Sequence, residues 1–471
     1  GPHGDFTREA LRPLTWEFSG RAVTVMKRLA RLAVPSCTGL LLVTTWCAGL
    51  LVWGNGELAA EDWPQWRGPH GNGISRETAL PVQWSETEGL AWKVDIPEWG
   101  TSTPAIKNGH LFLTTEHDGQ LLLLCYSTTD GHLIWQRECG QGAANRKVEG
   151  SDKRTSKFHN LHNMASPSPI TDGERVIVHF GNGELGSYRS DGEPEWRRNL
   201  VEDFGPYSIW WGHANSPVLY GDLVISCCMQ DPLDGVEGKS AVSYLVAHNK
   251  RTGQVVWTSE RMTGAHAEEG DSYTTPIAAN IDRRTEMIVM GGNVLDAYNP
   301  QTGQQIWQLS GLVGGRTITG PTLADGIVYT TIGMRGPLHA VRLGKTGLVS
   351  AGDVVLWQQD QSTPDTCCPV VSNGLIFIVT DRGIASCLDA KTGELKWRER
   401  LTGGNYKASP VVAAGRVYFA NMDGDSTVIR ADGTFEVLAI NHLDDEFTAS
   451  PAISGGRIYL RGKKTLYAIG K

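Results

Sequence analysis

Side chains suited to metal or ligand binding concentrate in three long insertions, 141–162, 204–211 and 262–271. They are His159, Trp210, Trp211, His266, Glu268 and Glu269. Imidazole groups favour zinc, and carboxylates favour calcium. These residues form no tight ligand cluster, and neither a His-Glu-x-x-His nor a Gly-x-Ser-x-Gly motif occurs in the chain. We therefore expect hydrogen-bonding loop residues here, and we predict no metal site and no catalytic residue.

The insertions interrupt a phrase that occurs eight times: a small residue, a proline, a few apolar residues, a glycine and a β-branched run. Successive prolines lie 41 to 63 residues apart and are Pro104, Pro167, Pro217, Pro276, Pro321, Pro369, Pro410 and Pro451. Each phrase leads into a strand pattern, as in 375–378 and 416–419. A repeat of this period predicts a propeller or a solenoid.

Most repeats close on a tryptophan that follows a glycine by four residues, as Trp397 follows Gly393. The glycine supplies the positive φ of a tight hairpin, so the indole is held on a fixed face of the outer strand. We expect each indole to fill the wedge between two blades, with its N–H bound to a backbone acceptor. These structural docking residues are predicted to be Trp92, Trp135, Trp196, Trp257, Trp307, Trp357 and Trp397.

The last repeat ends at Lys471 without a closing strand, whereas 90–94 resembles a closing strand and precedes the first phrase. We expect this N-terminal strand to complete the last blade, which removes exposed sheet edges. The prediction is an all-β fold: one eight-bladed β-propeller over 84–471, preceded by a lead-in segment at 61–83. An open solenoid is the competing interpretation, and the orphan strand at Trp92 argues against it.

The first 60 residues have a different character. Residues 26–31 are rich in Lys and Arg, and 32–56 contain no charged residue. This pattern predicts a signal peptide at 26–60, with 1–25 as an upstream extension or a start-site artefact. The alternative is an uncleaved anchor, because the apolar run is long enough to span a bilayer. In both cases we expect the propeller in the periplasm or outside the cell, with membrane contact only through such an anchor.

Net charge and cysteine content narrow the partners. The formal charge is −8 and no basic stripe occurs, which argues against nucleic acid and anionic membrane surfaces. Two adjacent cysteine pairs, Cys227-Cys228 and Cys367-Cys368, could form vicinal disulfides in an exported chain. Alternatively they are small buried packing residues, since Cys368 takes the place of Ser or Thr in its phrase.

The residues just before each proline are expected to line the mouth of a central channel, if the inner strands begin at the phrases. The candidate ligand-binding ring is His162, Asn163, His213, Asp271, Tyr273, Arg316, Asp365, Tyr406 and Lys407. Loops on a rigid scaffold commonly carry binding residues. We therefore predict that a ligand or a protein binds at this mouth.

The repeats from Trp92 to Lys471, with their tryptophan segments, resemble the pyrroloquinoline quinone (PQQ)-binding-like β-propeller family. The opening at 63–69, Trp-Pro-Gln-Trp-Arg-Gly-Pro, is similar to the start of mature exported members. This family contains both quinoprotein dehydrogenases and non-catalytic BamB-like scaffolds. The resemblance implies a fold and a compartment, and it leaves both activities open.

A quinoprotein of this family would hold PQQ with calcium. Its carboxylates would need cations such as Arg316 and Lys407, above an aromatic floor such as Trp210 or Trp211. Calcium would need oxygens from the candidates Glu268, Glu269, Asp271 or Asn163. No dehydrogenase motif matches residue by residue, so we favour an exported, non-catalytic, BamB-like scaffold that binds an envelope protein or a small molecule without a cofactor. The alternative is a PQQ- and calcium-dependent dehydrogenase of an alcohol or a sugar.

Overall fold

A computed structural model describes residues 61–142, 145–147, 155–234 and 241–471. These residues belong to one compact unit of the chain, Leu58–Lys471. The signal peptide or anchor predicted at 26–60, and the extension predicted at 1–25, lie outside the described residues. In the part of the chain that is described, no helix has the length and apolar character of a membrane span.

Eight antiparallel sheets of four main strands form the blades. Blade 1 is Ala105–Lys107, His110–His117, Gln120–Ser127 and Leu133–Gln141; blade 2 is Ile170–Thr171, Arg175–His179, Glu184–Arg189 and Pro194–Asn199; blade 3 is Val218–Tyr220, Leu223–Cys228, Tyr244–Asn249 and Val255–Glu260; blade 4 is Ile277–Ile281, Arg284–Gly291, Val294–Tyr298 and Gln305–Ser310. Blade 5 is Thr322–Ala324, Ile327–Thr331, Leu338–Arg342 and Val355–Gln359; blade 6 is Val370–Ser372, Leu375–Val379, Ile384–Asp389 and Leu395–Arg400; blade 7 is Val411–Ala413, Arg416–Ala420, Asp425–Arg430 and Val437–His442; blade 8 is Ala452–Ser454, Arg457–Arg461, Thr465–Ile469 and Leu90–Asp95. The additional elements are the hairpin Asn145–Lys147 and Thr155–Lys157, the strand Gly347–Val349, the helices Leu200–Phe204 and Ala351–Val354, and the 3₁₀ turn Ala267–Glu269.

Ring closure follows the predicted scheme. The strand Leu90–Asp95 pairs antiparallel with Thr465–Ile469, and Trp92 lies opposite Ala468. The N-terminal strand thus provides the outer strand of a blade whose other three strands end the chain. The predicted all-β, eight-bladed propeller and its closure are confirmed.

The small residue before each proline builds a hydrogen-bonded belt around the channel. The main-chain N–H of one blade donates to the side chain at the same position of the next blade. Six such bonds occur: Thr103 to Ser168, Ser168 to Ser216, Ser216 to Thr275, Gly320 to Cys368, Cys368 to Ser409 and Ser409 to Ser450, at 2.9–3.1 Å. Neighbouring inner strands are therefore tied together by the residue type that the phrase repeats.

The belt corrects one assignment made from the sequence. In blade 2 the position is filled by Ser168 and Pro169, whereas we predicted Pro167 as the phrase proline. The tandem Ser-Pro-Ser-Pro at 166–169 offers two registers, and the strand Ile170–Thr171 uses the second. Positions counted back from Pro167 are consequently displaced by two residues.

The seven predicted tryptophans lie at the junctions between blades. Six indole N–H groups donate to a carbonyl of the next blade: Trp92 to Thr128, Trp135 to Ser190, Trp196 to Lys250, Trp257 to Pro300, Trp357 to Ala390 and Trp397 to Asp432, at 2.8–3.3 Å. A Cβ on Gly131 would lie 2.6 Å from the Trp92 ring, so the hairpin glycine leaves room for the indole. Trp307 differs, because its N–H donates to Glu286 Oε2 of its own blade at 2.7 Å. At that junction the strand Gly347–Val349 pairs in parallel with Gln305–Ser310.

The N-terminal segment, residues 61–89, crosses the propeller and pairs with the channel-facing edges of its inner strands. Trp63 and Ile106 exchange two main-chain hydrogen bonds, at 3.0 and 2.7 Å. Val412 is bound in the same way by Gly73 and Ser75, at 2.8 and 2.9 Å. Between these contacts the buried Arg67 donates from Nη1 to Thr322 Oγ1 at 2.7 Å and from Nη2 to the carbonyl of Pro369. The sequence indicated only a lead-in at 61–83, whereas the structure shows a strap through the channel.

The cysteines of the described residues are all buried and carry free thiols. Cys368 belongs to the belt, and its Sγ accepts the N–H of Gly320 at 3.1 Å. Cys367 Sγ contacts the carbonyl of Ala408 at 3.2 Å. Of the two interpretations left open by the sequence, these contacts match small buried packing residues.

Candidate functional site

The mouth of the channel holds a cavity of about 450 Å³. All eight blades contribute to its wall, for example through Thr103, Ser168, Ser216, Thr275, Ile318, Thr366, Ser409 and Ser450. Most of these are belt residues, so the element that joins the blades also forms the inner wall of the cavity. Trp66 of the N-terminal segment reaches the same cavity.

The structure divides the nine ring residues predicted from the sequence into two groups. The residues that line the cavity are His162, Tyr273, Arg316, Asp365 and Lys407. The other four do not line it: His213, Asp271 and Tyr406 are fully buried, and Asn163 is half-buried. Counting back from the prolines therefore identified loops that reach the cavity, but it could not give the direction of each side chain.

Asp271 supports the loops around the mouth. It is fully buried, and its Oδ2 and Oδ1 accept the main-chain N–H groups of Trp210 and Asp231, both at 3.0 Å. The two hydrogen bonds hold the loops that carry Trp210 and Asp231 against Asp271, just before blade 4. Backbone amides also stabilise the carboxylate itself.

The other three ring residues that do not line the cavity also make local contacts. Asn163 donates from Nδ2 to the carbonyl of Trp99 and accepts from Ala165 N, both at 3.0 Å. The ring of His213 is fully buried and stacks on Tyr207 at a centroid distance of 4.8 Å. Tyr406 is fully buried, and its hydroxyl donates to the carbonyl of Thr402 at 2.7 Å.

One side of the mouth, on blades 2 and 3, is aromatic and uncharged. His162 Nε2 lies 2.7 Å from the carbonyl of Trp211, and its Nδ1 lies 2.8 Å from Ser166 Oγ. Burial lowers the pKa of His162 to about 4, so the ring is neutral near pH 7. Nε2 then carries the proton and donates to the carbonyl of Trp211. His159 packs edge-on against the Trp211 ring at 5.1 Å.

The opposite side, on blades 5 to 7, carries two ion pairs. Arg316 Nη2 lies 3.3 Å from Asp365 Oδ2, and Lys407 Nζ lies 2.5 Å from Asp381 Oδ2. Thr366 donates from its hydroxyl to the same Asp381 oxygen at 3.0 Å. Each pair joins two neighbouring blades, so both cations face the cavity with their charge already balanced.

Tyr273 connects the two sides. Its hydroxyl accepts the main-chain N–H of Trp211 at 3.2 Å. Burial, and next the negative charge of Asp271, raise the pKa of Tyr273 well above its usual value. The phenol therefore stays protonated and acts as a neutral hydrogen-bonding group.

Trp66 is one of the cavity residues that the sequence did not reveal. The belt position of blade 5 is Gly320, where a Cβ would lie 3.3 Å from the Trp66 ring. Gly320 breaks the Ser, Thr or Cys pattern of the other seven belt positions. This gap in the pattern was the available signal, but nothing in it pointed to a partner some 250 residues earlier in the chain.

The candidate ligands for PQQ with calcium do not converge. Asp271 uses its oxygens for two backbone amides, and Glu269 Oε2 accepts from Asn293 Nδ2 at 2.9 Å. Glu268 lines the cavity, whereas its neighbour Glu269 does not. Among the described residues, no group of three His, Cys, Asp or Glu side chains could hold a metal ion. Calcium requires six to eight oxygens, so these residues do not fit the metal that would accompany the quinone.

The fold and the mouth define a closed eight-bladed propeller with a ligand-sized cavity that carries two ion pairs and the carboxylate of Glu268. The protein family described as outer membrane protein assembly factor BamB matches residues 74–227, 239–338 and 345–438, about three quarters of the chain. The chain therefore belongs to this BamB-type family of PQQ-like propellers, and the resemblance stated from its repeats is confirmed.

Individual relatives are distant. BamB of Moranella endobia (strain PCIT) is 28% identical over 141 residues, 27% of this chain and 34% of that protein. BamB of Yersinia pestis is 20% identical over 307 residues, 55% of this chain and 76% of that protein. The matches thus span from about a third to three quarters of these relatives.

Solved structures with this fold include both a BamB protein and dehydrogenases. BamB from Moraxella catarrhalis superposes with a TM-score of 0.56 and 12% identity, over 80% of this chain and 98% of that one. A europium-containing methanol dehydrogenase gives a TM-score of 0.64 and 10% identity, over 87% and 98%. A quinohemoprotein alcohol dehydrogenase from Comamonas testosteroni gives 0.62 and 13%, over 87% and 81%. At these identities the likeness shows the fold alone.

Proposed function

We propose that this protein is an exported, non-catalytic scaffold that binds a protein or a small ligand at the mouth of its channel. The observation that carries the proposal is the cavity to which all eight blades contribute. A site at the axis of a closed ring is held by the whole fold, so its shape is preorganised for binding.

Several polar groups of the cavity wall are held in fixed positions, which supports binding. Arg316 and Lys407 are each paired with a carboxylate, and both nitrogens of the neutral His162 ring are engaged. These groups offer fixed donors, acceptors and aromatic faces to an occupant.

The partner is proposed from the family. The relatives are named as outer membrane assembly factors, which suggests a protein of the cell envelope as the occupant of the mouth. Export to the periplasm or the cell exterior is part of the same proposal and agrees with the leader predicted at 26–60. An extended loop or a side chain of such a partner would have the Trp211 face on one side and two ion pairs on the other.

Site-specific photo-crosslinking tests this proposal. A benzoylphenylalanine residue would replace Thr448, which lines the mouth, in the full chain expressed in a bacterial envelope. The matched control would replace Gln304, an exposed residue on the outer hairpin of blade 4. We expect a discrete protein adduct from Thr448 and none from Gln304. Equal adducts from both positions would contradict a binding site at the mouth.

A small occupant would be detected separately. Native mass spectrometry of the purified full chain would show an added mass, and Trp211→Ala would reduce its occupancy because the variant removes the aromatic face. The control is Trp397→Phe, which changes a tryptophan far from the mouth. The proposal would be refuted if Thr448 gave no adduct and native mass spectrometry showed no added mass.

A further inference from the structure

The N-terminal segment shows how the channel-facing edges of the inner strands bind a polypeptide. In blades 1, 2 and 7 the segment is bound by the second residue after the phrase proline, namely Ile106, Thr171 and Val412. Thr171 N donates to the carbonyl of Pro64 at 2.9 Å, and the other two residues both donate and accept. All three residues are at most 3% exposed.

The equivalent residues of blades 3, 4 and 5 are Leu219, Ala278 and Leu323, each two positions after its proline. Within the described residues, none of the three makes a main-chain hydrogen bond to the N-terminal segment. Their exposure agrees with this difference, because Leu219 and Leu323 are half-buried and Ala278 is exposed. An inner-strand edge without a partner is a template for strand addition.

The three residues line one groove of about 670 Å³. Trp66, Ser216 and Thr275 border both this groove and the mouth cavity, so the two spaces lie on either side of them. The turn of the N-terminal segment at 65–72 forms one wall of the groove. The groove therefore continues the surface along which the chain already binds its own segment.

The chemistry of the groove selects its occupant. The groove is lined by apolar side chains such as Leu219, Leu323 and Ile281, and also by the polar side chains of Gln65, His70, Asn72 and Asn280. Among the described residues that line it, Asp325 is the carboxylate, and neither Lys nor Arg is present. An occupant with many charges would lose hydration here and would find one carboxylate and no Lys or Arg side chain to pair with. An extended, uncharged, apolar chain would gain main-chain bonds and burial together.

We propose that this groove is a second binding site, in which an extended apolar segment of a partner polypeptide adds its main chain to Leu219, Ala278 and Leu323. The segment would continue, on blades 3 to 5, the strap that residues 61–89 form on blades 1, 2 and 7. This site is separate from the mouth cavity and does not depend on the function proposed for it.

The test is selection of peptides that bind the full chain from a display library of random, extended peptides. The selected peptides would be synthesised with a fluorescent label, and their affinity would be measured by anisotropy. The variant Ala278→Arg places a charged side chain in the groove at an exposed position, so folding is preserved. The variant Gln304→Arg adds the same charge on the outside of blade 4 and is the control.

We expect apolar, β-branched peptides whose affinity falls at least about tenfold in Ala278→Arg and is unchanged in Gln304→Arg. Methylation of alternate peptide nitrogens should abolish binding, because it removes main-chain donors and keeps the side chains. Hydrogen exchange should show that the amides of Leu219, Ala278 and Leu323 become protected. The proposal is overturned if no peptide is selected, or if the selected peptides bind Ala278→Arg as well as the original chain. Peptides whose binding depends on Trp211 instead would belong to the mouth.

Discussion

The main-chain N–H of Ser409 donates to the hydroxyl of Ser450 at 3.0 Å, across the junction between blades 7 and 8. The same bond recurs at five other junctions, so the Ser-Pro phrase is a device that joins blades as well as a strand signal. The bond is buried, and its loss would leave the amide of Ser409 without a partner.

The first prediction concerns this belt. Ser450→Ala should lower the free energy of unfolding by about 1–2 kcal/mol, because a buried N–H loses its acceptor. Ser450→Thr should have little effect, since Thr275 performs the same task for Ser216 at 3.0 Å. Urea denaturation of the two variants measures the difference. Equal stability of the alanine and threonine variants would argue against the belt.

The second prediction concerns Trp66 and Gly320. Gly320→Ser should destabilise the protein, because a Cβ there would lie 3.3 Å from the indole and the hydroxyl adds further bulk. Trp66→Ala removes that obstacle, so the double variant should lose less than the two single variants together. A double-mutant cycle of thermal unfolding gives the coupling. If the stability changes of the two single variants simply add in the double variant, Trp66 and residue 320 are not in steric contact in solution.

The third prediction concerns the docking tryptophans. Trp357→Phe keeps most of the ring but removes the N–H bond to Ala390, which should cost about 1 kcal/mol. Trp307→Phe should cost more, because its partner Glu286 is a buried carboxylate and bonds to charged groups are about twice as strong. Denaturation midpoints at constant m-value provide the comparison. A reversed order would contradict the role assigned to Glu286.

The fourth prediction concerns pH. His248 is fully buried beneath Trp196, and burial, followed by the charge of Arg198, lowers its pKa from 6.5 to about 4. Between these pH values the unfolded chain binds a proton that the folded chain does not, so stability falls as the pH falls. The maximum slope for one such group is about 1.4 kcal/mol per pH unit.

The matched variant for this prediction is His248→Tyr. Tyrosine occupies the equivalent position in blades 1, 2 and 4, as Tyr126, Tyr188 and Tyr298. We expect its stability to depend less steeply on pH between 6.5 and 4 than that of the original chain. His266→Gln, on an exposed loop, is the control. An unchanged slope in His248→Tyr would show that His248 does not contribute to the acid sensitivity.

The architecture could be predicted because the repeat makes it redundant. Eight phrases give independent estimates of the same strand pattern, and the orphan strand at Trp92 has one partner that closes the ring. The tandem prolines at 166–169 show the limit of this reasoning, since one repeat alone does not decide between two registers. Position in a repeat therefore predicts the strand well, and its boundaries less well.

The site was less predictable because side-chain direction depends on packing between loops. Asp271 and Arg316 occupy similar positions before their prolines, yet Asp271 accepts backbone amides from inside while Arg316 faces the cavity. The N-terminal segment was harder still. Its pairing with Val412 joins residues more than 330 positions apart, and no local pattern encodes that contact.

The central claim is that the mouth binds an occupant without redox chemistry, and calorimetric titration of the full chain with PQQ in the presence of Ca²⁺ tests it most directly. Dye-linked oxidation of alcohols and sugars would be followed in parallel on the same sample. We predict neither stoichiometric binding nor turnover, because the carboxylates around the mouth do not converge on a calcium site. Tight, stoichiometric PQQ binding with turnover, lost in Arg316→Ala, would contradict the account and identify the protein as a quinoprotein dehydrogenase.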